Sequence, residues 1–182
     1  VSRLGRFRPP PFEISAPLQW VLVRAFGPSG ATAPRPEGQE AFDLAVRFDL
    51  AARIATRTPP SQLLAELGVS SARAFGLARA EVLERSHRLR CTRAAVGRIA
   101  TAAAIPIAWL KFSALDALGV LPEGGRAATD VDILVPKTQA EALQRQLLAA
   151  GFRRDGLPGA RHQLPRLVSP EGCGVEVHHC LP

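Results

Sequence analysis

With 182 residues, 47% of them hydrophobic and 21% charged, the chain has the balance of an ordinary folded protein, long enough for one domain or for a small core with a helical extension. No apolar run approaches the roughly 20 residues that span a bilayer; the longest, Ile99 to Leu110, is interrupted by Thr101 and Pro106. The formal charge of +7, from 23 Lys and Arg against 16 Asp and Glu, favours anionic partners such as nucleotides, RNA or phosphorylated molecules without choosing among them.

Cys91, Cys173 and Cys180 are odd in number and lack C-x-x-C spacing, which argues against a disulfide framework or a zinc site and for a reducing cytoplasm. The first residues show no basic segment followed by an apolar core and a cleavage site, so neither a secretion signal nor a membrane partner is expected.

Residues 1–40 read as a partly ordered arm. Arg3, Arg6 and Arg8 lead into Pro9-Pro10-Pro11, and Leu18, Val21, Leu22 and Phe26 form one short apolar helical face. Residues 41–104 read as a helical region. Apolar spacing predicts a helix from Glu40 to Ile54; Ser61 is placed to cap another that runs through Leu67 and stops at Gly68. A longer helix is predicted from about Ser71 to Ala104. Its polar face carries Arg73, Arg79, Arg85, Arg88, Arg90, Arg93 and Arg98, either solvated or gripping a nucleic acid backbone. His87 among them is expected to be an exposed surface residue.

Residues 105–182 read as a separate α/β core. Ile105-Pro-Ile-Ala-Trp-Leu110 has the look of a strand in which Pro106 marks an edge or a first turn. Lys111-Phe112-Ser113 and a short helix to Leu118 follow at once; free backbone N–H groups at such a junction seat phosphate oxygens, and Lys111 adds charge there. In Asp130-Val-Asp132-Ile-Leu-Val135 the acidic pair and Leu134 share one strand face, with Val131, Ile133 and Val135 on the other. Two adjacent carboxylates repel one another and partly protonate unless a cation sits between them; a divalent metal is the usual one, and oxygen ligands suit Mg2+ or Mn2+. The bland alternative for such a pair is a strand end facing water. Thr138 and Glu141 have the spacing of a capping box, and Gly151 ends the helix after them. Gln163–Val168 and Gly174–His179 flank Ser169-Pro-Glu-Gly172 as a hairpin, with Glu176 and His178 on one face of its last strand.

Five pieces in order resemble the polymerase-β-like nucleotidyltransferases, in particular their loosely characterised bacterial branch: Leu110-Lys111-Phe112, Arg126, Asp130-x-Asp132-Ile-Leu-Val135, Gly151-Phe152 and Val175-Glu176-Val177-His178-His179. The resemblance covers residues from about 80 to 182. It implies an α+β fold, a helical N-terminal region followed by a small mixed β-sheet with flanking helices. It further implies that Asp130, Asp132 and Glu176 are both catalytic and metal-binding, holding Mg2+ or Mn2+ together with a nucleoside triphosphate. Glu176 would help one metal activate the acceptor hydroxyl, Ser113 would hold the β- and γ-phosphates, and Lys111 and Arg126 would neutralise triphosphate charge. His178 matches the family position and orients Glu176 or bonds to backbone.

The implied activity is transfer of a nucleoside monophosphate to an acceptor hydroxyl with release of pyrophosphate. The acceptor stays open among RNA, protein and small molecule. Three departures accompany the resemblance. Phe112 stands where the family prefers glycine, which predicts weakened or rearranged phosphate binding. His179 replaces a tryptophan, and the sequence stops at Pro182 where relatives continue into a further helical region, as expected of a shortened copy or a fragment needing a partner. The alternatives are a catalytically inactive nucleotide- or protein-binding member of the same fold, or a basic RNA-binding helical protein.

Overall fold

Proline and glycine punctuate the N-terminal half in a computed structural model that describes residues 14–120, 128–156 and 158–181. The arginines and prolines at positions 3–11 and the loop carrying Arg126 lie outside the described residues. The chain divides into two compact units, one ending at Gly76 and the other starting at Leu77.

In the first unit, α1 (Ala16–Phe26) has Pro17 in its opening turn, where a missing N–H leaves nothing unpaired. Its buried face is Pro17, Trp20, Val21 and Ala25, whereas Leu22 and Phe26 are exposed. The predicted face of Leu18, Val21, Leu22 and Phe26 is thus rolled toward Trp20. The indole carries more apolar surface than its neighbours and a polar N–H that also needs a partner. It packs on Phe75, which meets Phe42 edge-on, and its Nε1–H donates to Glu66 at 2.7 Å.

The single helix predicted from Glu40 to Ile54 is two: α2 (Gly38–Arg47) and α3 (Ala51–Arg57). Asp49 takes a left-handed conformation (φ 55°), and the N–H groups of Asp49 and Leu50 bond back to Val46 and Ala45. That is a Schellman ending, one that a short polar side chain such as aspartate tolerates. Apolar spacing runs through the break and cannot register it. α4 (Pro60–Leu67) starts at Pro60 with Pro59 as N-cap, so Ser61 caps nothing, while Gly68 (φ 81°) ends the helix as expected. α5 then runs unbroken from Val69 to Ala102.

Glu66 ties this unit together, accepting from Gln62, Trp20 and Arg24. Burial pushes its pKa up, but those hydrogen bonds and the Arg24 charge outweigh it and hold the carboxyl below its usual value of 4.5. A lowered carboxylate pKa contributes stability that is complete above the ordinary value and is lost as pH falls through the folded one. Glu66→Gln is therefore expected to cost about 2 kcal/mol at neutral pH and to flatten the acid limb of the stability profile, as measured by urea unfolding at successive pH values.

The second unit is built on a five-stranded sheet: β1 (Ala108–Trp109), β2 (Asp130–Leu134), β3 (Arg153–Arg154), β4 (Leu167–Val168) and β5 (Gly174–His178), in the order β1-β2-β5-β4-β3. Only β2 and β5 pair in parallel; the other neighbours are antiparallel. β1 is shorter than the predicted Ile105–Leu110 strand and lies at the sheet edge, where Pro106, with no N–H to offer a ladder, precedes it. α6 (Lys111–Ala117) follows β1 directly. α7 (Lys137–Ala149) begins one residue before Thr138, with Pro136 as N-cap and no side-chain cap bond, so the capping box is not used. The Ser169–Gly172 turn forms as predicted, closed by Ser169 N–H to Cys173 O at 2.8 Å.

Val131, Ile133, Val175 and Val177 are fully buried, packed with Leu89, Val96 and Ala100 of α5 and Ala140, Leu143 and Leu147 of α7. By strand alternation the opposite sheet face is left for Asp130, Asp132, Glu176 and His178. The fold is α+β, a helical N-terminal region followed by a small mixed sheet, as the sequence implied.

Candidate active site

Parallel pairing of β2 with β5 sets Asp130 opposite Gly174, Asp132 opposite Glu176 and Leu134 opposite His178. Two carboxylates therefore stand side by side at the middle of the sheet. Asp132 is buried, and Glu176 is partly so.

Lys111 reaches them from the start of α6. Its Nζ lies 2.7 Å from Asp132 Oδ1 and 3.8 Å from Glu176 Oε2. The hydrogen bond to Asp132, opposed by burial and reinforced by the charges of Asp132, Glu176 and Asp130, raises the lysine's pKa above its ordinary value, so the group is an ammonium at neutral pH. Its backbone is left-handed (φ 48°), a conformation that residues carrying a Cβ seldom adopt. Leu110 N–H bonds to Asp132 O at 3.0 Å, which fixes the junction beside β2.

His178 approaches the same two oxygens, with Nε2 3.1 Å from Asp132 Oδ1 and 3.5 Å from Glu176 Oε2. Ionised carboxylates only accept, so Nε2 is the protonated nitrogen. Its ring is buried and stacks on His162 at 5.5 Å, and Nδ1 has no partner among the described residues. Asp132, Glu176 and His178 each present one donor atom, and these atoms lie within 4.8 Å of one another. The two carboxylate oxygens fit a small divalent cation, whereas the His178 nitrogen could join them only in its unprotonated form.

The structure treats the two aspartates of the motif differently. Asp130 is engaged by Arg166, which also bonds Asp155 at 3.2 Å, and by the Thr129 hydroxyl at 2.7 Å. Arg166 carries no motif and stands 36 residues from Asp130; periodicity holds no signal for it. Gly174 makes the pairing sterically possible, because a Cβ there would fall on the guanidinium and the Asp130 carboxylate. Gly174→Ala is accordingly expected to destabilise the protein by about 1–2 kcal/mol, an effect that shrinks in an Arg166→Ala background, where only the Asp130 carboxylate still meets the new methyl, when the four proteins of the cycle are compared by thermal unfolding.

Ser113 is fully buried, and its hydroxyl lacks a hydrogen-bond partner among the described residues. Lys111, Phe112 and Leu115 share a pocket of about 500 Å3 with Ala128, Thr129, Asp130 and Asp132, a size suited to a small-molecule ligand. α6 spans seven residues, so any phosphate seat here leans on side chains rather than on a long helix dipole. Arg93 fixes α6, donating to Asp116 at 2.6 Å and to the Ser113 carbonyl at 3.3 Å. One member of the arginine face is therefore an internal brace. His87 is exposed, as expected, 3.6 Å from Cys91.

A mixed sheet whose central parallel pair presents adjacent carboxylates beside a lysine-bearing strand-to-helix junction defines a nucleotidyltransferase-type core. The chain belongs to the uncharacterised nucleotidyltransferase family, whose family model matches residues 37–182. No curated protein and no solved structure matches it. No helix among the described residues is long and apolar enough to cross a membrane.

Proposed function

We propose that this protein transfers a nucleoside monophosphate from a nucleoside triphosphate to an acceptor hydroxyl, releasing pyrophosphate, with residues 105–182 carrying the chemistry. The observation that supports this reading most strongly is the register that sets Asp132 beside Glu176 under a positively charged group. Asp132 and Glu176 hold Mg2+ or Mn2+, and Asp130 joins them once it parts from Arg166. When bound, such ions clamp attacking and leaving oxygens and neutralise charge developing between them.

The chain's own residues bind and orient. Ser113 is the candidate for the β- and γ-phosphates because its buried hydroxyl has no hydrogen-bond partner among the described residues; it is not among the residues that line the pocket, so the start of α6 has to shift for it to donate. Lys111 neutralises triphosphate charge, with Arg126 as a further candidate. His178 is a positioning residue. To ligate an ion through Nε2 it would have to move its proton to Nδ1, where no acceptor waits among the described residues, so it serves better as the donor that fixes Asp132.

A second reading, an inactive nucleotide-binding member, draws on two observations: Phe112 stands where glycine would let phosphate approach the main chain, and basic side chains already engage both aspartates. Incubating the protein with each labelled triphosphate, Mn2+ and a cell extract separates the two. Transfer of label with pyrophosphate release, abolished by Asp132→Ala, is the expected result. Metal-dependent nucleotide binding without pyrophosphate release leaves the second reading.

A further inference from the structure

Lys111 and His178 converge on the same two oxygen atoms, Asp132 Oδ1 and Glu176 Oε2. A cation that bridges the pair through these two oxygens competes with both groups for them. A divalent ion and an ammonium cannot share them, because at such separations like charges repel by several times thermal energy even under strong screening. The lysine side chain is 61% exposed, so its ammonium can withdraw into solvent at small cost.

We propose that Lys111 is the built-in counter-cation of the Asp132–Glu176 pair, and that a divalent ion binds there only by displacing its ammonium. The inference rests on the metal-binding reading above and adds to it the residue that sets metal affinity. Without metal, the lysine's ammonium faces both carboxylates; with metal, its charge is released toward the pocket that it lines.

Mn2+ binding followed by electron paramagnetic resonance, with no nucleotide present, tests this on the full chain. Lys111→Gln keeps the side-chain length and removes the charge. It is expected to bind Mn2+ about five- to ten-fold more tightly than wild type, to melt lower in chelator, and to gain more from added Mn2+. Lys111→Arg, which keeps the charge, is expected to match wild type, and Asp132→Asn to lose the binding. Equal or weaker Mn2+ affinity in folded Lys111→Gln overturns the counter-cation role while leaving the metal site standing. Absence of Mn2+ binding in both folded wild type and Lys111→Gln removes the metal-binding reading, and this inference with it.

Discussion

Asp132→Asn is expected to lower nucleotidyl transfer by at least about a thousand-fold while shifting stability by no more than about 1 kcal/mol. Asparagine keeps the shape of the side chain and an oxygen for the His178 Nε2–H and the Lys111 ammonium, the two donors that now reach Asp132. What it removes is the negative charge that a divalent ion requires. Pyrophosphate release measured beside thermal unfolding separates the two effects. Activity within a few-fold of wild type would place the chemistry elsewhere in the chain.

One residue further along, the expected result is reversed. Ile133→Ala should cost about 3–4 kcal/mol and lower the melting temperature of the C-terminal unit by more than about 10 °C. Ile133 is fully buried between α5 and α7 on the face opposite the carboxylates, and its removal leaves a void that rigid neighbours fill poorly. At a temperature where the variant remains folded, Mn2+ affinity should be nearly unchanged. Equal stability of Ile133→Ala and wild type in urea would mean that this face is not the packed one.

That contrast between adjacent positions is what alternation in the sequence exposes. Asp130-x-Asp132 and Val175-Glu176-Val177 each declare an apolar side and an acidic side, and the order of the pieces suggested that the strands lie together. The tertiary partners were out of reach. Arg166 bonds Asp130 across 36 residues, and its neighbours Pro165 and Leu167 give no hint of that destination. Lys111 was legible as a charge at a strand-to-helix junction, but its contact with Asp132 depends on how β1 lies against β2. Boundaries failed where the backbone decided: Asp49 ends α2 by a left-handed turn, and Pro136 starts α7 ahead of the Thr138 capping box.

Two successive residues of α5 reach different parts of the second unit. Thr92 bonds Ser169 at the tip of the β4–β5 hairpin, at 2.8 Å, and Arg93 holds α6 through Asp116 and the Ser113 carbonyl. One helical turn thus acts as a jig that aligns the segment carrying the lysine with the hairpin whose second strand carries Glu176. A half-turn slip of that helix would spoil the alignment without altering Asp132 or Glu176 themselves, so loss-of-function changes are to be looked for in the arginine-rich rod as well as among the carboxylates.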